Sequence, residues 1–187
     1  SFLADRIDRY GDDRNHPDDC AASGLSPWLH YGHIGAHQVL DALGSKTGWS
    51  ADAIANRTDG KADGWWGVGS AGDAFLDELV TWRELGLNFG HERPDELDQV
   101  TSLPNWAQKT LREHGGDERA QTYDLETLAR AETHDEIWNA AQTELLRTGR
   151  MHNYLRMLWG KLVLAWKETP EEAAADLLEL NTRSALD

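Results

Sequence analysis

The chain has 187 residues, 40% hydrophobic and 27% charged, with a single cysteine and a formal net charge of −15. A chain of that length can bury a sizeable core, and the composition excludes disorder, a collagen repeat and a disulfide scaffold. No apolar run approaches the roughly 20 residues of a membrane span, and the acidic balance, taken alone, argues against a nucleic-acid binder, although a net charge does not exclude a local basic patch.

The opening decapeptide SFLADRIDRY is charged from its fifth residue and does not read as a signal peptide, so a soluble cytoplasmic protein is expected. Residues 1–10 suggest a short helix carrying Phe2, Leu3, Ile7 and Tyr10. Residues 11–22 are polar, contain Pro17, and read as a loop. Ser26-Pro27 has the pattern of an N-cap followed by a first-turn proline, opening a helix to about Leu43 that is interrupted near Gly32 and Gly35. Residues 44–70 are glycine-rich without a sustained apolar period. They read as a long loop with one short helix near 51–56, pinned by Trp65 and Trp66.

Ser70, with Asp73 three residues on, reads as a capping box. It opens a helix striped by Phe75, Leu76, Leu79, Val80 and Leu87, to about Phe89. A loop at 90–103 leads to short helices at 104–114 and 124–131. Thr133 and Glu136 form a second capping-box pattern for a helix to Thr148, ended by Gly149. A strong helix follows over 150–167. Thr169-Pro170-Glu171-Glu172 opens the last, to about Leu180. Period-2 alternation is scarce, so the fold class is all-α.

Nine tryptophans against three phenylalanines invert the usual core usage, and a buried indole N–H needs a partner. On 150–167, His152, Arg156, Trp159 and Trp166 share a helix face. The two indoles lie two turns, about 10 Å, apart. That face suits either an amphipathic helix with a snorkelling arginine or a redox or ligand site. Glu78 and Trp82 stand four apart on one helix. This could form a polar–aromatic ligand site, or a surface carboxylate beside a core ring. SGLSP at 23–27 offers hydroxyls and free N–H groups at a helix start, where an anion can sit. His30, His33 and His37 have a spacing that could ligate a metal, although the glycines between them weaken a regular helix. Nucleotide-loop, nucleophile-elbow and H-E-x-x-H patterns are absent from the sequence.

Five segments in fixed order resemble one family: YGDDRNHP (10–17), SGLSPWLHYGHI (23–34), FLDELVTWREL (75–85), THDEIWNAAQ (133–142) and GRMHNYLRMLWGKLVLAW (149–166). They are similar to the helical FAD-binding domain of DNA photolyases and cryptochromes, nearest to class II cyclobutane pyrimidine dimer photolyases. The resemblance covers about Tyr10 to Asp187. It implies a single helical FAD-binding catalytic domain over 1–187, truncated at both ends, with 44–70 as a loop-rich insertion. Family members usually begin with an α/β antenna domain and continue past this chain's last residues.

The resemblance also implies roles. Tyr10 and Arg14 match flavin-nucleotide contacts. Ser23, Leu25 and Ser26 match the phosphate turn, and Arg156 matches the arginine beside the isoalloxazine ring. Asn153 stands where class II members more often have glycine. It is counted with the cofactor contacts, as is Asp187 at the edge of the family's next segment. Glu78 and Trp82 match the mouth of the lesion cavity. Trp138, Trp159 and Trp166 match electron-transfer tryptophans. The implied activity is light-driven repair of pyrimidine dimers in DNA by a monomer. A cryptochrome-like photoreceptor is the alternative, and an all-α interaction module with tryptophans serving only as core is a third.

Overall fold

The computed structural model describes residues 1–56, 60, 64–97 and 99–187, and among these every regular element is helical. The part of the 44–70 expectation that falls on 57–59 and 61–63 lies outside the described residues, as does Asp98 in the 90–103 loop. The chain forms two compact units, Ser1–His91 with Asp187, and Glu92–Leu186.

In the first unit the expected helix over 1–10 is broken. Helix α1 (Phe2–Asp5) stops at Arg6, whose φ of −132° leaves the helical region; a 3-10 turn (Ile7–Arg9) and α2 (Tyr10–Asp13) follow. Helix α2 packs against residues 70–74, where even a Cβ added at Gly11 would find ordinary contact, 3.6 Å from the Ala71 Cα. Helices α3 (Ser26–His30) and α4 (Ala36–Thr47) are separated around Gly32, which has φ +69°. The α4 helix therefore runs past Leu43 into the stretch read as loop. It buries Val39 and Leu43 and ends on left-handed Gly48. Trp49 and Trp66 are joined by a hydrogen bond from Trp49 Nε1 to the Trp66 carbonyl at 2.6 Å, and both rings pack on the first unit's core.

Helix α5 (Ser70–Leu76) starts one residue earlier than a Ser70 cap requires: Gly69 is the N-cap. Asp73 is buried and instead accepts the Val68 N–H at 2.8 Å, so it fastens the entry loop rather than closing a capping box. A π-helical turn (Asp77–Trp82) then leads directly into α6 (Arg83–Glu92). Phe75, Leu76 and Leu79 are buried with Phe2, Ile7, Tyr10, Val39 and Leu43, but Leu87 is exposed. The apolar stripe does not continue through the π turn, because a turn closed by i→i+5 bonds shifts the facing of every later residue.

The second unit is built on antiparallel helices. After α7 (Asn105–Glu113) and α8 (Leu125–Ala129) come α9 (Glu136–Thr148), α10 (Asn153–Trp166) and α11 (Pro170–Ser184). Asp135, not Thr133, caps α9: its carboxylate accepts the Trp138 N–H at 2.8 Å, while the Thr133 hydroxyl is bonded to Asn139. An ionised carboxylate is the better acceptor for a helix N-terminus. Helix α10 begins three residues later than the sequence suggests, with His152 Nδ1 accepting the Tyr154 N–H. The Thr169 cap on α11 is as the sequence indicates, accepting the Glu172 N–H at 3.2 Å, and the helix continues to Ser184. The core comprises Leu128, Trp138, Ala141, Leu145, Met151, Trp159, Val163, Trp166, Ala173 and Leu180.

Gly149 makes the α9–α10 turn at φ +68°, and its carbonyl accepts the Leu186 N–H at 2.8 Å. A Cβ there would lie 2.3 Å from the Leu186 side chain. Gly149→Ala is therefore expected to cost about 1–2 kcal/mol from the left-handed backbone alone, and to displace Leu186. Urea unfolding of parent and variant measures the loss. Equal midpoints would mean that the turn readily adopts another conformation.

Candidate functional site

In the first unit, three of the expected residues form one continuous contact. Tyr10 is buried edge-on against Phe2 (5.6 Å between ring centres) and Phe75 (5.4 Å). One turn later, the Arg14 guanidinium lies 5.3 Å from the centre of the Tyr10 ring and donates to Glu78 Oε1 at 2.5 Å. Burial pushes the Tyr10 phenol above its ordinary pKa, against the opposing pull of Arg14. For Arg14, burial works against the charge, but the hydrogen bonds to Glu78 and Tyr10 outweigh it and hold the guanidinium above its ordinary value. Arg14 is thus a fixed cation stacked on an aromatic ring, and Glu78 is oriented by it.

Glu78 and Trp82 both lie in the π turn, and Trp82 is 59% exposed. Such turns occur mostly as single-turn bulges, frequently at functional sites. With Glu78 Oε1 taken by Arg14, Oε2 is the oxygen left to face a ligand.

The Ser23–Ser26 turn is opened by Gly24 at φ +70°, and the Ser23 hydroxyl accepts the Leu25 N–H at 3.3 Å. Leu25 rather than Ser26 is the N-cap of α3, and no side chain caps that helix. The exposed Ser26 hydroxyl is therefore not spent as a cap. His30 lies edge-on to Tyr31 and His33 to Trp28. Among the described residues, no group of three His, Cys, Asp or Glu is placed to hold a metal.

In the second unit the three tryptophans meet. Trp138 stacks on Trp159 at 6.2 Å with planes 7° apart, and meets Trp166 edge-on at 5.4 Å. All three are at most 6% exposed. Antiparallel packing of α9 on α10 sets Trp138 between the two indoles of the longer helix. Trp138 Nε1 donates to the Trp159 carbonyl at 3.1 Å, and Trp159 Nε1 to Gln142 Oε1 at 2.9 Å. Outward from Trp166 come Tyr123, edge-on at 5.2 Å, and His134 at 5.6 Å. Gln142, Tyr123 and His134 are absent from the sequence-based site. Gln142 could have been found one turn beyond Trp138 on α9, whereas Tyr123 lies in a loop and follows no period. On α10, Asn153 is exposed and Arg156 half-buried, and Asp187 is exposed.

No family model matches the chain. Three curated relatives align with its whole length, each named deoxyribodipyrimidine photo-lyase. The identity is 36% for that of Potorous tridactylus, 40% for that of Oryza sativa subsp. japonica and 37% for that of Methanothermobacter thermautotrophicus. The chain spans 32%, 33% and 36% of their respective lengths.

Proposed function

Because the chain belongs to the deoxyribodipyrimidine photo-lyase family, we propose that it is the flavin-holding helical part of an enzyme that repairs cyclobutane pyrimidine dimers in DNA with light. The observation that carries this reading is the buried Trp159–Trp138–Trp166 stack. Burying three indoles in mutual contact is a costly way to fill space and a good way to move an electron.

The residues fit FAD. A dinucleotide needs cations and donors for its phosphates, and Arg14 and the Ser26 hydroxyl, which caps no helix, supply them beside the Ser23–Leu25 turn. Tyr10 gives Arg14 its rigid aromatic support. The family resemblance alone assigns Arg156, Asn153 and Asp187 to the cofactor. When bound, reduced FAD supplies a single electron under light and receives it back.

The chain's own residues do the rest. Glu78 accepts from Arg14 through Oε1 and, as a carboxylic acid, donates the O–H on Oε2 to a pyrimidine carbonyl, where negative charge grows as the electron arrives. Trp82 offers an exposed apolar ring on which an unstacked base can rest, and a damaged pair leaves the duplex at low cost. The tryptophan stack resupplies electrons to an oxidised cofactor. Among the described residues no helix is long and apolar enough to cross a membrane.

An absorption spectrum of the purified chain, followed by illumination with an oligonucleotide containing a thymine dimer, tests the reading. The expected result is bound flavin and light-dependent loss of the dimer. A colourless chain that cannot be loaded with FAD would overturn it.

A further inference from the structure

Arg6 lies outside the five segments that carry the family resemblance, yet it is tied to the turn at the start of the second. It stands at the break between α1 and the 3-10 turn, half-buried, with its guanidinium 5.7 Å from the centre of the Phe2 ring. Its Nη1 donates to two carbonyls of one short stretch of chain, that of Cys20 at 2.9 Å and that of Ala22 at 3.0 Å. Two carbonyl oxygens turned toward one point repel each other. A cation with a proton for each of them reverses the sign of that interaction.

The stretch is bent to meet it. Cys20 takes a left-handed φ of +49°, uncommon for a residue with a Cβ, and Ala21, between the two bonded carbonyls, is only 2% exposed. Residues 20–25 belong to no helix, so their conformation depends on contacts of this kind. The Arg9–Asp19 pair just upstream, exposed and 3.8 Å apart, adds little. Ser23 follows at once, and with it the turn that ends at the Ser26 hydroxyl. On its other side Arg6 is braced by the aromatic cluster: Phe2 meets Tyr10 edge-on at 5.6 Å, and Arg14 lies over Tyr10. Two arginines on adjoining rings therefore share one rigid support.

We infer that Arg6 is a positioning residue for the cofactor's phosphates, acting through the turn: it holds Ser23–Ser26 in register with Arg14. The inference rests on reading Arg14 and the Ser26 hydroxyl as phosphate contacts. The two phosphates of a dinucleotide are covalently joined, so they must meet the cation and the hydroxyl together. A turn free to shift satisfies one contact at the expense of the other. With Arg6 in place the turn is ordered before the cofactor arrives, and binding does not have to order it.

Two measurements on the whole chain test this, one of them without flavin. Arg6→Met keeps an apolar stem against Phe2 and removes both donors. Backbone amide order parameters from NMR relaxation should be about 0.85 over residues 20–25 in the parent and fall below about 0.6 in the variant, with α4 and α5 unchanged. In titrations the Kd for FAD should rise by at least about tenfold. Arg6→Lys, a compact donor on a similar stem, should fall between parent and methionine variant in both readouts. It serves alone if Arg6→Met does not fold, and parent values for it in both would then refute the inference. So would a folded Arg6→Met whose turn stays as rigid as the parent's, or whose turn loosens with FAD affinity unchanged. A parent chain that takes up no FAD would instead sink the reading of Arg14 and Ser26 as phosphate contacts, and the order parameters would still report whether Arg6 holds the turn.

Discussion

Trp138→Phe is expected to slow light-driven reduction of bound oxidised flavin by at least about tenfold while leaving the chain folded. Trp138 is the ring that touches both of the others, face-on to Trp159 and edge-on to Trp166, so its replacement interrupts both steps. Phenylalanine is far harder to oxidise than indole, yet it fills much of the same space. The substitution also removes the hydrogen bond from Trp138 Nε1 to the Trp159 carbonyl. Together these should cost about 1–2 kcal/mol, against about 3–5 kcal/mol for Trp138→Ala at a site only 1% exposed. Photoreduction time courses and urea unfolding on the same samples separate the two effects. A phenylalanine variant that photoreduces like the parent would make this ring core filling and nothing more.

Glu78→Ala should lower the repair yield per absorbed photon by about 10², the scale of removing one preorganised stabilising group, with flavin still bound. The cost in stability should be below about 1 kcal/mol: the Arg14 and Glu78 side chains are 28% and 40% exposed, and solvent screens their attraction. Arg14 keeps its place over Tyr10 without its carboxylate partner. Glu78→Gln retains a hydrogen-bonding group and should fall between parent and alanine. The disproportion is the diagnostic. If repair declines only as far as folding does, then Glu78 is there to hold Arg14, and its contact with substrate is not needed.

How much of this was legible in the sequence depends on how local the deciding interaction is. The α11 cap is legible because Thr169, Pro170 and Glu172 act within one turn. The α9 cap is not, since Thr133 and Asp135 compete for the role, and the Thr133 hydroxyl is drawn to Asn139. Spacing alone puts Trp159 and Trp166 on one face, but bringing Trp138 to them requires the Gly149 turn and antiparallel packing. The Arg14–Glu78 contact joins residues 64 positions apart, beyond the reach of any periodicity. The family resemblance singled out both residues without saying that they touch.

The π turn at Asp77–Trp82 carries a consequence for insertions and deletions. It holds one more residue than an α-helical turn would, and each α-helical residue advances the chain by about 100°. Deleting a single residue between Glu78 and Trp82 would let the ladder revert to i→i+4 bonds. Because the turn already absorbs the extra residue, Arg83–Glu92 would keep their facing relative to α5. The Arg14 contact, upstream of the deletion, would survive. What the deletion removes is the widened turn itself, and with it the spacing of the carboxylate from the indole: the course of the helix tolerates the shorter chain, and the pair of side chains it presents does not.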